Sequence, residues 1–266
     1  MDKNRLREIE LFLFDMDGTI YLEDKLIEGS LELLELIKSQ NKKYVFLTNN
    51  SSKNVNTYLK KLKRMGIEVN KENIFTSSKA TAIYLLENYK SPKVYCVGTN
   101  DFIKELEEYG VIVKKEKDYN VNCVVVGFDT ELNYEKIKIA CELISSGKDF
   151  IATNIDLVCP IKDSKFIPDC GAICNLIKEA VNIEPKYMGK PNKKIIDIIS
   201  NALNIEKDKI VIVGDRLYTD IEIGINSGVD TICVLTGETT KEDIENSHIK
   251  PTYIVNSVKN IYNIIK

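Results

Sequence analysis

Histidine and tryptophan are almost missing from this chain of 266 residues. It has no tryptophan and a single histidine, His248, in a polar stretch near the end. The seven cysteines include no Cys-x-x-Cys pair, so we expect neither a zinc site nor a mechanism that relies on a histidine base. An odd number of scattered cysteines instead predicts reduced thiols in the core of a cytoplasmic protein.

Features typical of membrane, secreted and nucleic-acid-binding proteins are absent too. No apolar run approaches the ~20 residues needed to cross a bilayer. The charged start, Met1 to Arg5, lacks the apolar segment of a signal peptide. The net charge is −3 with both signs mixed along the chain, which leaves no basic patch for nucleic acid. We therefore expect a cytoplasmic protein with no nucleic-acid partner and no membrane partner.

The chain does contain a regular alternation of apolar strands and amphipathic helices, which predicts an α/β fold with parallel sheets flanked by helices. A hydrophobic fraction of 44% allows an ordinary globular core. The strands are predicted at residues 11–14, 43–47, 73–76, 93–98, 123–127, 150–153, 209–213, 231–235 and 253–255. So many strands favour two sheets and two domains. A loop or small flap is predicted at 20–28, a loop at 154–168, and a helix at 191–203 that begins with Pro191.

The stretch from Leu11 to Thr19 is the centre of this arrangement. Its first four residues are apolar and predict a strand buried on both faces, as in a parallel sheet. The strand ends at two acids, Asp15 and Asp17. Ligands bind at the carboxyl ends of strands in open α/β sheets, so the two acids form either a chemical site or a solvated turn. This stretch alone does not decide between them.

Two other buried strands also end in polar groups. Thr48 and Asn49 follow one of them, and Asp215 and Asp220 follow another. Each pattern alone is typical of a turn or a helix cap. In a parallel sheet, however, the ends of these strands lie at the same edge as the two acids of the first strand. Their joint occurrence therefore predicts one site.

The predicted cluster has the composition of a phosphoryl-transfer site. Asp15, Asp215 and Asp220 would repel one another unless a cation lay among them. Oxygen ligands without histidine or cysteine suit Mg²⁺, which binds carboxylates, phosphate and water. Lys190, between a glycine and a proline, is the one lysine in an unusual setting, and with Mg²⁺ it would offset the charge of a phosphate ester.

The two acids of the first strand are predicted to have different roles. Asp15 would attack phosphorus and form an aspartyl-phosphate. Asp17 would protonate the leaving alkoxide and then deprotonate the attacking water. Thr48 and Asn49 would donate hydrogen bonds to the phosphate. Asp17→Asn should keep substrate binding and lose turnover, and near wild-type turnover would contradict this role.

These residues resemble the four ordered motifs of the haloacid dehalogenase (HAD) superfamily over essentially the whole chain: Asp15-Met16-Asp17-Gly18-Thr19, Thr48, Lys190 and Gly214-Asp215-(x4)-Asp220. Four segments are similar to those of the NagD-type phosphatases of subclass IIA, which include 4-nitrophenylphosphatase-like proteins: Thr48 to Ser52, Ala152 to Asn154, Pro168 to Ala172 and Gly189 to Pro191. The resemblance implies a Rossmann-like parallel-sheet core with an inserted α/β cap. We place the core at 1–79 and 186–266 and the cap at 80–185.

The resemblance also implies a role for each site residue. Mg²⁺ would be held by the carboxylates of Asp15 and Asp215 and by the main-chain carbonyl of Asp17. Asp220 would support the metal site from just outside, and Lys190 would steady the nucleophile and the phosphate, so both join Asp15 and Asp17 as catalytic residues. The residues expected to bind phosphate or substrate are Thr48, Asn49, Asn50, Lys190 and Asp169, the last in a cap loop that runs to Cys174.

Small phosphorylated metabolites are the expected substrates, because a cap that closes over the site excludes water and large molecules. Nucleoside monophosphates, phosphosugars and phosphoglycolate all stay open. The cap has no histidine, and Cys159 stands near the place where pyridoxal-phosphate phosphatases carry one, which argues against that substrate. A homodimer is compatible with the resemblance, since relatives are often dimers through the cap.

Two functions compete with a Mg²⁺-dependent phosphatase. The first is a non-catalytic module that binds a phosphometabolite, but the usual phosphate loops, G-x-G-x-x-G and G-x-x-x-x-G-K-[ST], are absent. The second is a regulatory protein of the phospho-receiver kind, in which a phosphorylated aspartate changes the conformation. The lifetime of the aspartyl-phosphate separates a receiver from a phosphatase, because the intermediate is long-lived in a receiver and short-lived in a phosphatase.

Overall fold

The computed structural model describes residues 3–161 and 165–266. Its strands are β1 (Leu11–Phe14), β2 (Tyr21–Leu22), β3 (Lys25–Leu26), β4 (Lys43–Thr48), β5 (Ile74–Thr76), β6 (Lys93–Val97), β7 (Ile112–Lys114), β8 (Cys123–Val126), β9 (Asp149–Ala152), β10 (Val158–Ile161), β11 (Lys165–Pro168), β12 (Lys186–Tyr187), β13 (Ile210–Gly214), β14 (Asp230–Val234) and β15 (Tyr253–Val255). Its α-helices are α1 (Lys3–Glu8), α2 (Ser30–Ser39), α3 (Val55–Arg64), α4 (Ser77–Asn88), α5 (Asn100–Glu108), α6 (Tyr134–Ser145), α7 (Cys170–Val181), α8 (Lys194–Leu203), α9 (Glu222–Ser227), α10 (Lys241–Asn246) and α11 (Val258–Ile265). Short 3₁₀ turns lie at Lys71–Asn73 and Lys207–Lys209, and a π-helical turn lies at Leu217–Ile221.

The first sheet has the strand order β15-β14-β13-β1-β4-β5, so β1 lies in its interior. Strand β1 pairs in parallel with β13 and with β4, and Phe14 lies opposite Val213 and Phe46. All four side chains of β1 are buried, as expected for a parallel strand covered on both faces. The strand order reverses around β1, and the carboxyl end of a strand at such a reversal is where ligand sites form.

The second sheet is also parallel and has the order β12-β9-β8-β6-β7. Its central strand β8 reads Cys-Val-Val-Val and is buried throughout. Helices α6 and α7 pack against this sheet through apolar side chains such as Leu143 and Ile177, which share one cluster with Val124 and Phe150. This sheet therefore has its own hydrophobic core.

The chain divides into two compact units. The first comprises Met1–Leu47, Leu59–Phe75 and Lys190–Lys266, and the second comprises Thr48–Tyr58 and Thr76–Gly189. The two parallel sheets agree with the predicted α/β class. The boundaries placed at 80 and 185 for the cap, and the core at 1–79 and 186–266, stay a prediction. Over the ranges described, no helix is both long enough and apolar enough to cross a membrane.

Two segments without a clear sequence pattern form short antiparallel hairpins. The predicted flap at 20–28 contains β2 and β3, with Tyr21 opposite Leu26. The predicted loop at 154–168 contains β10 and β11, with Val158 opposite Pro168, while its residues 162–164 lie outside the described residues. The loop prediction was wrong because most side chains of β10 and β11 are exposed, so the alternation that marks a half-buried strand is missing.

The helix predicted to start at Pro191 begins three residues later, at Lys194. Pro191 lies in the preceding turn, and the side chain of Asn192 accepts a hydrogen bond of 3.1 Å from the backbone N–H of Lys194. This bond satisfies one of the free donors in the first turn of the helix. Lys190 therefore lies in a turn that is separated from the start of the helix by three residues.

Candidate active site

Asp15 and Asp215 directly follow the ends of two neighbouring strands. The backbone N–H of Asp15 donates to the main-chain oxygen of Val213 over 2.8 Å, which continues the pairing of β1 with β13 for one more residue. Strand β13 ends at Gly214, and Asp215 is the residue that follows it. Parallel pairing thus brings two acids that are far apart in sequence to one edge of the sheet.

Lys190 is buried between two carboxylates. Its Nζ lies 2.6 Å from Oδ1 of Asp15 and 2.6 Å from Oδ1 of Asp220, and it also donates to the main-chain oxygen of Leu47 over 3.4 Å. Only 3% of Lys190 is exposed. Burial lowers the pKa of its ammonium, but the two carboxylates outweigh this and hold the pKa above its ordinary value. Lys190 therefore stays protonated at neutral pH.

Asp220 is held by the π-helical turn Leu217–Ile221. The backbone N–H of Arg216 donates to Oδ2 of Asp220 over 3.1 Å, while Oδ1 accepts from Lys190. A methyl group at Gly214 would overlap the Asp220 side chain, so this close approach requires a glycine. The turn directs the carboxylate of Asp220 inward, where it is 1% exposed.

Asp215 is held by a loop that follows β14. The backbone N–H of Glu238 donates to Oδ2 of Asp215 over 2.8 Å, and the hydroxyl of Thr19 donates to Oδ1 over 3.4 Å. Burial, and then the nearby charge of Asp220, raise the pKa of Asp215 to about 7. Burial likewise raises the pKa of Asp15 well above its usual range, although Lys190 acts in the opposite direction. The cluster therefore holds more negative charge than one lysine neutralises.

The same three acids can hold a metal ion. Asp15, Asp215 and Asp220 each offer a carboxylate oxygen, and these oxygens lie within 4.8 Å of one another. Oxygen donors without nitrogen or sulfur suit a hard divalent cation such as Mg²⁺. Burial is the main cause of the raised carboxylate pKa values and repulsion between the acids adds to it, so a divalent cation would oppose this shift. By this chemical test the residues present fit the predicted metal.

Asp17 lies apart from the buried cluster, with 56% of its side chain exposed. The hydroxyl of Tyr21 donates to its Oδ2 over 3.3 Å, and Nζ of Lys61 lies 3.8 Å from its Oδ1. Neither Tyr21 nor Lys61 was predicted as a site residue. In the sequence, nothing distinguishes Lys61 from Lys60 and Lys63 on α3, because only tertiary packing brings it to Asp17.

The residues after β4 form hydrogen bonds within the second unit. Thr48 is the last residue of β4 and is buried, and its hydroxyl accepts from the backbone N–H of Asn50 over 3.1 Å. The side-chain amide of Asn49 donates to Oδ2 of Asp156 over 2.9 Å. The side-chain oxygen of Asn50 accepts from the backbone N–H of Ser52 over 3.0 Å. These bonds order the loop, and phosphate binding by Thr48, Asn49 and Asn50 stays a prediction.

Asp169 begins helix α7. Its carboxylate accepts a hydrogen bond of 2.5 Å from the backbone N–H of Cys170, and the residue is 4% exposed. A carboxylate at this position accepts a hydrogen bond from a free backbone N–H group, and the positive end of the helix dipole stabilises its negative charge. This capping role is what the structure describes, and contact of Asp169 with substrate stays a prediction.

Comparison with known proteins gives consistent matches. A family model described as haloacid dehalogenase-like hydrolase matches residues 12–112, and a second HAD-like hydrolase model matches residues 187–261. The acid sugar phosphatase of Staphylococcus epidermidis is 35% identical over 93% of this chain and 95% of its own. The crystal structure of 4-nitrophenylphosphatase from Thermotoga maritima is 41% identical, with a TM-score of 0.94, and the match covers 98% of this chain and 99% of that one. NagD from E. coli K-12 is 32% identical, with a TM-score of 0.85, over 94% and 97% of the two chains.

The chain belongs to the haloacid dehalogenase-like hydrolases. The match to solved structures confirms the predicted α/β fold, a Rossmann-like parallel-sheet core with an inserted α/β cap. Within this class the chain is a NagD-type phosphatase of subclass IIA, as its motifs predicted, and hence an enzyme.

Proposed function

We propose that this chain is a Mg²⁺-dependent phosphatase that hydrolyses small phosphate monoesters through an aspartyl-phosphate on Asp15. The observation that carries the proposal is the position of Lys190, whose Nζ lies 2.6 Å from both Asp15 and Asp220 in a buried site. A buried lysine between two acids fixes the orientation of the Asp15 carboxylate and keeps it available as a nucleophile.

The residues that would hold Mg²⁺ are the carboxylates of Asp15 and Asp215 and the main-chain carbonyl of Asp17. Asp220 supports this site, since its Oδ1 already accepts from Lys190. When bound, Mg²⁺ supplies positive charge that offsets the carboxylates and the phosphate. Burial and then the nearby charge of Asp220 raise the pKa of Asp215 to about 7, and a cation at this site would oppose that shift, which supports the assignment.

Asp15 and Asp17 have different tasks in the proposed reaction. An oxygen of Asp15 forms a bond to phosphorus while the ester P–O bond breaks, and Asp17 gives its proton to the leaving oxygen. In the second half, water attacks phosphorus, its proton passes to Asp17, and the bond between Asp15 and phosphorus breaks. The products are the alcohol and inorganic phosphate, and both acids return to their starting state.

The substrate class follows from the relatives and from the inserted unit. The matched proteins include an acid sugar phosphatase and a 4-nitrophenylphosphatase, which supports a small phosphorylated metabolite, with phosphosugars, nucleoside monophosphates and phosphoglycolate as candidates. Thr48, Asn49, Asn50 and Lys190 would bind the phosphate, and Asp169 would lie on the substrate side of the cap. A cytoplasmic location and a homodimer stay predictions.

The test is phosphate release from 4-nitrophenyl phosphate and a panel of small phosphomonoesters, with Mg²⁺ and with EDTA. We expect phosphate release that needs Mg²⁺ and vanishes in Asp15→Asn. Asp208 is exposed and lies outside the predicted site, so the control variant Asp208→Asn should retain activity. Asp17→Asn should bind substrate but turn it over about 10²–10⁴-fold more slowly. No release by a folded wild-type protein would overturn the proposal and favour a role in phosphometabolite binding.

A further inference from the structure

Asp17, Tyr21 and Lys61 form a small cluster of side chains. Each carboxylate oxygen of Asp17 has a different neighbour, since Tyr21 donates to Oδ2 over 3.3 Å and Nζ of Lys61 lies 3.8 Å from Oδ1. The ammonium of Lys61 also lies 3.8 Å from the centre of the Tyr21 ring, a cation–π contact. The three side chains therefore contact one another in a closed triangle.

The two partners of Asp17 are themselves well fixed. Tyr21 is fully buried, and its main-chain oxygen accepts from the N–H of Gly18 over 2.8 Å, next to Asp17 in the chain. Its own N–H donates to the main-chain oxygen of Met16 over 3.2 Å. Only 14% of the Lys61 side chain is exposed. Asp17, by contrast, has more than half of its side chain exposed.

We propose that Lys61 and Tyr21 are positioning residues that hold the carboxyl group of Asp17 in the orientation needed to pass a proton to the leaving oxygen. This inference rests on the proposed phosphatase function and on the role of Asp17 within it. Neither residue is assigned a contact with the substrate. They act through Asp17, because contacts to both carboxylate oxygens prevent rotation of a group whose misplacement by about 1 Å can cost 10²-fold in rate.

A matched pair of substrates separates positioning from a general structural effect. Phenyl phosphate and 4-nitrophenyl phosphate differ by one nitro group, but phenolate is the stronger base and needs a proton to leave. 4-Nitrophenolate leaves readily without one. Loss of proton delivery should therefore slow phenyl phosphate selectively, whereas a damaged fold should slow both esters alike. The readout is kcat/KM, which covers the half-reaction in which the leaving group departs.

We expect Lys61→Met to lower kcat/KM for phenyl phosphate about tenfold more than for 4-nitrophenyl phosphate, a part of the 10²–10⁴-fold that proton transfer contributes. Lys61→Arg should restore the wild-type ratio, because it keeps a cation over the ring. Lys60 is an exposed lysine on the same helix, so Lys60→Met is the matched control and should keep the wild-type ratio. Tyr21→Phe keeps the ring and removes only the hydroxyl, so it provides a second test if Lys61→Met does not fold.

Equal losses on the two esters, or no loss on either, would overturn the positioning role of Lys61 and Tyr21. Failure of the proposed function is distinguishable, because the wild-type protein would then release no phosphate from either ester. A selective loss in Lys61→Met that Lys61→Arg does not reverse would also contradict the proposal, since its physical basis is a cation beside Asp17 and over the Tyr21 ring.

Discussion

Gly237 lies so close to Asp215 that a methyl group at Gly237 would overlap the Asp215 carboxylate. The next residue, Glu238, donates its backbone N–H to the same carboxylate over 2.8 Å. The loop after β14 can therefore approach Asp215 only because it carries no side chain at this point. The structural need for glycine here is steric, from close approach to an acid of the proposed metal site.

Gly237→Ala should displace Asp215 and lower activity by about 10²-fold, the cost of a misplacement of about 1 Å. The measurement is kcat together with the Mg²⁺ concentration for half-maximal activity, which should rise. Gly147→Ala is the control, because Gly147 has a φ of +91° and open space around it. It should cost about 1 kcal/mol of stability without a change in the Mg²⁺ requirement. Wild-type Mg²⁺ dependence in Gly237→Ala would contradict this prediction.

Two lysine–aspartate pairs with the same separation should differ greatly in their effect on stability. Lys190 and Asp15 are 2.6 Å apart in a buried site, and Lys207 and Asp197 are 2.6 Å apart with both side chains 41% exposed. Lys190→Met should lower the free energy of unfolding by about 3 kcal/mol or more, because it leaves buried carboxylates unpaired. Lys207→Met should cost less than about 1 kcal/mol. Urea unfolding in EDTA measures both, and equal losses would refute the difference.

Glu105 should make the protein less stable as the pH rises from about 4.5 to 7. Burial raises its pKa to about 7, although a 2.6 Å hydrogen bond from the hydroxyl of Thr76 acts against this. Its other oxygen is buried without a partner. Between these pH values the unfolded state loses the proton of Glu105 and the folded state keeps it, so the free energy of unfolding falls by about 3 kcal/mol across the interval.

Glu105→Gln should therefore stabilise the protein at pH 8 and have little effect at pH 4. The quantity to measure is the difference in unfolding free energy between variant and wild type as a function of pH. Glu107→Gln, on the exposed side of α5, is the control and should leave the wild-type slope in place. A Glu105→Gln difference that does not vary with pH would show that Glu105 is not the group responsible.

Mg²⁺ should bind more tightly as the pH rises through about 7. The pKa of Asp215 is raised to about 7 by burial, and a carboxylate must lose its proton to hold the metal. Below that pH the affinity should fall about tenfold per unit for each proton displaced. Titration calorimetry in buffers of different ionisation enthalpy counts the protons released. Equal affinity at pH 6 and pH 8 would contradict a link between Asp215 and the metal.

The sequence predicted those parts of the fold whose physics is local. Leu11 to Phe14 are apolar and form the buried strand β1, and the polar residues at the strand ends fall where parallel pairing requires. The acids could be brought together in advance because strand ends converge in any parallel sheet. Lys190 was added for its charge, its setting between a glycine and a proline, and the family motif. The family resemblance then placed the cap, which composition alone did not mark.

The remaining features depend on tertiary contacts. Strand β10 carries exposed side chains and so shows no alternation, and Pro191 suits a helix start although the chain turns there first. Lys61 has the same chemistry as its lysine neighbours, and only the packing of α3 against Tyr21 sets it apart. The steric need for Gly237 is equally invisible in sequence, because it arises from the carboxylate of Asp215, which follows another strand.

The pairing of Leu11 with Ile210 has a consequence for synthesis on the ribosome. At about 5–20 residues per second, the roughly 200 residues between these partners take about 10–40 s to make. All strands of the second sheet are synthesised before β13. In a chain truncated near residue 200 we therefore expect the second unit to resist protease, while β1 is cleaved. Every truncated product shorter than this has Asp15 without its partner acids. Asp15 is among the first residues made, and the acid cluster around it can form only when synthesis is nearly finished.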